Sequence, residues 1–490
     1  MSENNLRNKT ISGILWKFME RICAQLVSFI ISTRLAIILD PDEYGLIAIV
    51  LVFITIADVF VSSGFSAALV QKKDADDLDY STMFYCSLRV SIIMYGIIYL
   101  CAPRIAHFYD NESLIMLIRV FSLRLPLSVL NSIQHAYISS NMLFRKFFWS
   151  TLFGTVISGS IGLWMAHRGF GVWSLVAQYL MNTVVDTLVL LFTISWRPKL
   201  MFSLERADKL MSFGSKVLLA ALSGTVFDQL RSFIIGKKYT AADLAYYNKG
   251  QQFSSLLTTN ISTSIMAVLF PSISKVSDDI SKVKNMTKKS IEVLAFVMFP
   301  LLFGLAACAE PIVIVLITEK WIKCVPFIQI LSMYSLINIL GGLPLEAFKA
   351  LGRGDVTLKL EFIKKPVYLL LLLAGMWFGP LAMAVTLALY SLYGAGINMF
   401  YLSKLTNYKV SEQLGDVFPV FVVSLVMALA VYFVPIPINS IIVKLAVKVL
   451  MGAAIYVVGT LIIKPEGFVY IWNIIEEKFF KKQAGNTYEY

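Results

Sequence analysis

Stretches of twenty or more largely apolar residues recur along nearly the whole of this chain, separated by short polar turns. A bilayer core is about 30 Å thick, and about 20 helical residues at 1.5 Å each cross it. Within it every backbone N–H and C=O must be paired inside the protein, which a helix achieves and an open strand does not. The pattern predicts an all-α polytopic membrane protein of about fourteen transmembrane helices. The runs lie at 11–39, 45–70, 82–101, 114–139, 147–167, 170–194 and 210–235, then at 250–273, 291–317, 325–351, 360–378, 380–402, 417–434 and 440–463. Of 490 residues 58% are hydrophobic, and the longest connection, 274–290, leaves no place for a soluble domain.

Basic residues are unevenly shared between alternate loops. One set carries 23, among them Lys72, Lys73, Arg145, Lys284 and Lys404; the other carries 7, namely Arg104, Arg168, Lys237, Lys238, Lys249, Lys320 and Lys323. The positive-inside rule then places both termini in the cytoplasm. The net charge of +12 is mostly this asymmetry and says nothing of nucleic acid. The first span is too long and, with Lys17, Glu20, Arg21 and Gln25, too polar for a cleavable signal peptide.

Cations also lie inside the spans. Lys17, Arg21, Arg34, Arg89, Arg119 and Arg124 fall in the first six, against Glu20, Asp58 and Asp186. The later spans to 402 balance, with Lys216, Arg231, Lys349, Lys364 and Lys365 against Asp228, Glu292, Glu310, Glu346 and Glu361. A cation at the bilayer centre costs about 2.5–3.5 kcal/mol on insertion scales. Near a helix end it can snorkel, an open alternative for Arg34 and Arg119. Arg89 and Arg124 are about 8 and 10 residues from a span end, about 12–15 Å deep, where a cation faces a cavity or pairs with a carboxylate such as Asp58. Arg21, Arg34, Arg89, Arg119 and Arg124 are therefore the candidate lining of a cationic cavity. Glu20 and Asp58 are candidate ion-coupling groups or charge partners.

No constellation for catalysis is present. Gly236-Lys237-Lys238 lacks the leading glycine and hydroxyl residue of a phosphate loop. His107, His135 and His167 have no spaced carboxylate or cysteine partner, and read as packing or solvated residues. Cys23, Cys86, Cys101, Cys308 and Cys324 are scattered, without a C-x-x-C pair. No enzyme activity, metal or cofactor is expected.

Two segments look repeated. Ile11-Ser12-Gly13 opens an amphipathic span that exits through Asp42-Glu43-Tyr44-Gly45; Ser212-Phe213-Gly214-Ser215 lies in another that exits through Asp243-Leu244-Ala245-Tyr246-Tyr247. Twofold repetition is common in alternating-access transporters, although two such helices can also coincide. Pro126, Pro300, Pro344 and Pro366 fall within spans as candidate bends. After Lys464, the residues Phe468, Ile471, Trp472, Ile475 and Phe479 recur at helical spacing, with Glu476, Glu477, Lys478, Lys481 and Lys482 near or opposite, which suits an amphipathic helix on the inner leaflet.

Lys9-Thr10-Ile11-Ser12-Gly13 with Trp16 resembles the opening of bacterial polysaccharide transporters of the colanic-acid-exporter type. So do Asp42-Glu43-Tyr44-Gly45-Leu46, Phe270-Pro271 followed by Lys275 and Asp278-Asp279, and Glu319-Lys320-Trp321 with Pro326. They keep the family's order from the first span to the tenth. The resemblance implies the oligosaccharide-flippase branch of the multidrug/oligosaccharidyl-lipid/polysaccharide exporter superfamily. Its fold would be two pseudo-repeated six-helix lobes, 1–200 and 201–405, two additional helices within 406–463, and a cytoplasmic tail, 464–490. The implied substrate is an undecaprenyl-diphosphate-linked oligosaccharide repeat unit, moved from the cytoplasmic to the periplasmic leaflet of the bacterial inner membrane for surface polysaccharide synthesis. Its implied partners are the bilayer and, as candidates, a polysaccharide polymerase and a chain-length regulator. Two alternatives stand beside it: a multidrug/cation antiporter, which would want an anionic cavity, and a membrane glycan polymerase, which would need an external active-site loop.

Overall fold

The apolar runs fold as helices, and no strand occurs among the described residues. The computed structural model describes residues 3–476, with side chains except those of 3–15, 260, 262–268, 270–272 and 474–475. The chain begins α1 Glu3–Ile38, α2 Pro41–Gln71, α3 Asp77–Phe108, α4 Ser113–Phe121, α5 Arg124–Ser140, α6 Phe144–His167, α7 Trp173–Thr193 and α8 Leu204–Lys238. It continues α9 Ala241–Ser274, α10 Ile280–Ala307, α11 Ala309–Ile317, a 3₁₀ turn Glu319–Cys324, α12 Val325–Ala350 and α13 Gly354–Gly375. The last elements are α14 Pro380–Thr406, α15 Val410–Phe433, α16 Ile441–Ile463 and α17 Glu466–Glu476.

Among the described residues twelve helices are long and apolar enough to cross a membrane. The two remaining expected spans, 250–273 and 360–378, coincide with α9 and α13. The latter carries Asp355, Lys359, Glu361, Lys364 and Lys365, which dilutes its apolar character. The expected span 114–139 is broken into α4 and α5. Pro126 has no N–H for the Ser122 carbonyl, so the ladder is interrupted there; the Leu125 N–H takes that carbonyl at 3.0 Å instead. By contrast α10, α12 and α13 run unbroken through Pro300, Pro344 and Pro366.

The motifs carrying the family likeness build turns. Ahead of α2 the Asp40 N–H donates to Glu43 Oε2 at 2.9 Å, and Tyr44 Oη donates to the Ser32 carbonyl at 3.0 Å. Gly45 is required by close approach, since a Cβ there would lie 2.0 Å from the Ala241 carbonyl oxygen. Ahead of α9 the same device recurs: the Thr240 N–H donates to Asp243 Oδ2 (3.2 Å) and the Asp243 N–H to Thr240 Oγ1 (3.1 Å). A 36-residue helix, capped turn and 31-residue helix are thus echoed by helices of 35 and 34 residues, in keeping with the expected repeat. Trp321 of the Glu319–Cys324 turn is fully buried against the Tyr246 ring.

The chain forms two compact units, Met1–Ala245 and Tyr246–Tyr490. In the first, α2 packs on α5 and α8, and Gly64 meets Gly214 so closely that a Cβ on Gly64 would sit 2.8 Å from the Gly214 oxygen. The turn into α3 is pinned by ion pairs from Lys72 and Arg206 to the fully buried Asp79 side chain (2.6 and 3.2 Å), and from Arg206 to Asp76 (2.5 Å).

In the second unit α10 is central, its buried face carrying Ile291, Leu294, Met298 and Leu302. Phe299 and Phe303 of α10 lie edge-on to Phe421 of α15. Lys288 reaches three carboxylates: Glu292 on its own helix, Asp416 of α15 and Glu466 of α17. Within α17, Phe468 rests on Phe296 of α10, so part of the apolar stripe expected to meet lipid is turned onto the protein. Glu477, Lys478, Phe479, Lys481 and Lys482 lie outside the described residues.

Candidate functional site

Polar side chains spaced three and four apart fall on one face of a helix, and three such faces converge in the first unit. On α2 they are Asp58, Ser62 and Ser66; on α5 Arg124, Ser128, Asn131 and His135; on α7 Asn182, Thr183 and Asp186. Together they line an open cavity of about 800 Å³. Serine, asparagine and threonine carry both donors and acceptors, so such a wall can take over hydrogen bonds that a hydrated solute gives up on leaving water.

Asp186, 9% exposed, is the best-held group. Asn131 Nδ2 donates to its Oδ2 at 2.7 Å and His135 Nε2 lies 3.1 Å from the same atom. Asp58 Oδ1 has Ser128 Oγ at 3.3 Å, a hydroxyl that also reaches the Leu125 carbonyl at 2.9 Å. Arg124 is the first residue of α5, placed at the Pro126 break, and its Nε donates to Thr183 Oγ1 at a long 3.4 Å. Among the described residues no ion pair joins Arg124 to Asp58, the structural alternative that burial depth had left open.

Of the expected residues, Arg124 and Asp58 line this cavity, and Glu20 stands near it, with Thr151, His135 and Asp186 in electrostatic reach. The other arginines are elsewhere. Arg21 and Arg34 are exposed on α1. Arg89, exposed on α3, lies 5.1 Å from the Phe202 ring centre, and Arg119 lies 4.3 Å from that of Tyr99. The cavity's own ionisable groups are mixed: two carboxylates, one guanidinium and one imidazole. His135, read from the sequence as a packing or solvated residue, is one of its polar walls. The signal that could have found this site is the spacing 58/62/66 and 124/128/131/135. No group of histidine, cysteine and carboxylate residues that could hold a metal occurs among the described residues.

The sequence model of the family described as "Polysaccharide biosynthesis protein" matches residues 34–326. The chain belongs to this family. It is 24% identical over 71% of its length to the succinoglycan biosynthesis transport protein ExoT of Rhizobium meliloti, covering 71% of that protein. It is 23% identical to the lipopolysaccharide biosynthesis protein WzxC of Escherichia coli, over 82% of each chain. Among solved structures, the lipid II flippase MurJ in an inward closed conformation superposes with a TM-score of 0.75 at 15% identity, over 92% of this chain and 98% of that one. The likeness shows that the chain shares the fold of that structure. This family member is a polytopic membrane protein, with twelve helices among the described residues long and apolar enough to cross a membrane.

Proposed function

We propose that the chain is a flippase for an undecaprenyl-diphosphate-linked oligosaccharide repeat unit, carrying it from the cytoplasmic to the periplasmic leaflet by alternating access. The observation that carries this reading is the hydroxyl- and amide-lined cavity of the first unit, with Arg124 set into it at the start of α5, in a chain of the polysaccharide biosynthesis family. A sugar head is strongly hydrated and a diphosphate carries about two negative charges, so neither enters hydrocarbon alone. Serine, threonine and asparagine side chains substitute for water around sugar hydroxyls. A guanidinium offers a planar fork to phosphate oxygens, and Arg21, Arg34, Arg89 and Arg119 complete the proposed cationic set, acting away from this cavity. Glu20 and Asp58 are the proposed ion-coupling or charge-partner groups.

The lobes, 1–200 and 201–405, the two added helices in 406–463 and the tail, 464–490, are the organisation we adopt for this cycle. The location is the bacterial inner membrane with both termini cytoplasmic, supported by the 23-to-7 distribution of basic residues. A polysaccharide polymerase and a chain-length regulator are the proposed protein partners.

Reconstituted in proteoliposomes, the protein should make a polyprenyl-diphosphate-linked sugar accessible to an impermeant reagent on the opposite leaflet. The carboxylates Asp58 and Asp186 are what a cation antiporter would use. Efflux of a cationic dye without movement of the sugar lipid would favour that reading and defeat the flippase one.

A further inference from the structure

A second cavity, about 410 Å³, lies in the second unit where α10 ends and α11 begins, against the last turn of α15 and the first turn of α16. Its polar wall is Glu310, Gln329, Tyr432, Lys444 and Lys448. Lys448 is only 8% exposed, and its Nζ donates to the Val431 carbonyl at 2.7 Å. That bond satisfies a carbonyl of the last turn of α15 that has no helical amide partner. It occupies one of three ammonium donors, and among the described residues no carboxylate pairs with Lys448 or with Lys444 one turn earlier, and no cation pairs with Glu310. A buried ammonium without an anion is costly, so two lysines facing one glutamate leave the cavity short of negative charge. The starts of α11 (Glu310, Pro311) and α12 (Val325) also face it, adding the positive ends of two helix dipoles.

The rim has the opposite character. Phe433 and Val434 of its wall are 72% and 43% exposed, and Ile442, Val443, Val449 and Leu450 of α16 are exposed outside it, on helices long and apolar enough to cross a membrane. A ligand seated here has its anion in the cavity and apolar chains beside it. We propose that this cavity binds the phosphate group of a membrane lipid, with the lipid's chains lying along the exposed faces of α15 and α16. The inference rests on the chain spanning a membrane and not on what it transports.

The test uses the full chain in nanodiscs of zwitterionic lipid, titrated with an anionic phospholipid, with a polyprenyl monophosphate, with a neutral diacylglycerol and with inorganic phosphate. Binding is read by native mass spectrometry and by thermal shift. Either phosphate lipid should be retained and the diacylglycerol should not. Inorganic phosphate competing as strongly as the lipids would overturn the lipid assignment in favour of a free-anion site. Lys444→Gln should weaken lipid retention at least about tenfold, the size expected for a lost charged hydrogen bond. Glu310→Gln should strengthen it, an effect of opposite sign that a purely structural role does not give. Lys448→Arg should retain the lipid, whereas Lys448→Met should lose it and be judged only if the variant folds. Unchanged retention in both Lys444→Gln and Glu310→Gln would refute the site.

Discussion

Replacing Arg124 by alanine separates a substrate contact from a structural one, because the side chain has so little else to do. It makes one long hydrogen bond, 3.4 Å to Thr183, and among the described residues it has no ion pair. Its loss strands no buried carboxylate, so folding should change by no more than about 1 kcal/mol, as for substitutions away from paired charges. If the guanidinium meets a phosphate or acidic sugar, the lost charged hydrogen bonds are worth about 1.5–3 kcal/mol. At 1.36 kcal/mol per decade that is about a 10- to 150-fold loss in the rate of flipping. Lysine at the same position should recover part of it, since charge returns without the planar fork. The assay is leaflet exposure of the sugar lipid in proteoliposomes, with membrane protein amount measured alongside. Normal flipping by Arg124→Ala at normal protein level would refute the reasoning. A fall in protein amount relieved by Asp58→Asn would instead reveal a charge pair with Asp58.

Three further outcomes are expected. Gly45→Ala should sharply lower the yield of folded protein, because its methyl would lie 2.0 Å from the Ala241 oxygen, whereas Gly224→Ala, which meets nothing within 4 Å, should express normally. Arg206 beside Asp76 holds its carboxyl down at about 2. With the folded value below the unfolded one, this contact stabilises at neutral pH and its contribution disappears as pH falls from about 4 toward 2. Arg206→Gln should therefore flatten the acid limb of a melting-temperature profile, and an unchanged limb would dismiss the link. A cysteine at Lys284 should resist labelling from the periplasm and one at Lys320 should accept it; the reverse result would overturn the orientation.

Helices and their capped turns were legible because their causes are local. Apolar run length sets the spans, and Asp40 to Gly45 and Thr240 to Asp243 name their own hydrogen bonds. The break at Pro126 was less so: Pro300, Pro344 and Pro366 look the same in sequence, and the packing around each decides whether the helix parts. The cavity was legible only in pieces. Serine is common in membrane helices, so the stripes on α2 and α5 acquire meaning only when α7 brings Asp186 to His135, 51 residues distant. Counting residues from a span end estimates how deep a cation lies but not which way it points. Hence Arg89 and Arg124, similar in depth along the chain, part company: one stands over Phe202 and the other lines the cavity.

The placement of Glu292 gives the last helices a purpose. That carboxylate is 4% exposed on α10, shielded where Lys288, Asp416 of α15 and Glu466 of α17 gather, and Gly467 seats against its backbone oxygen. Without α15 and α17, Phe299 and Phe303 would lose Phe421, Phe296 would lose Phe468, and Glu292 would lose the cover that keeps it from water at the Lys288 end of α10. The added helices thus act as a sheath around that end of α10.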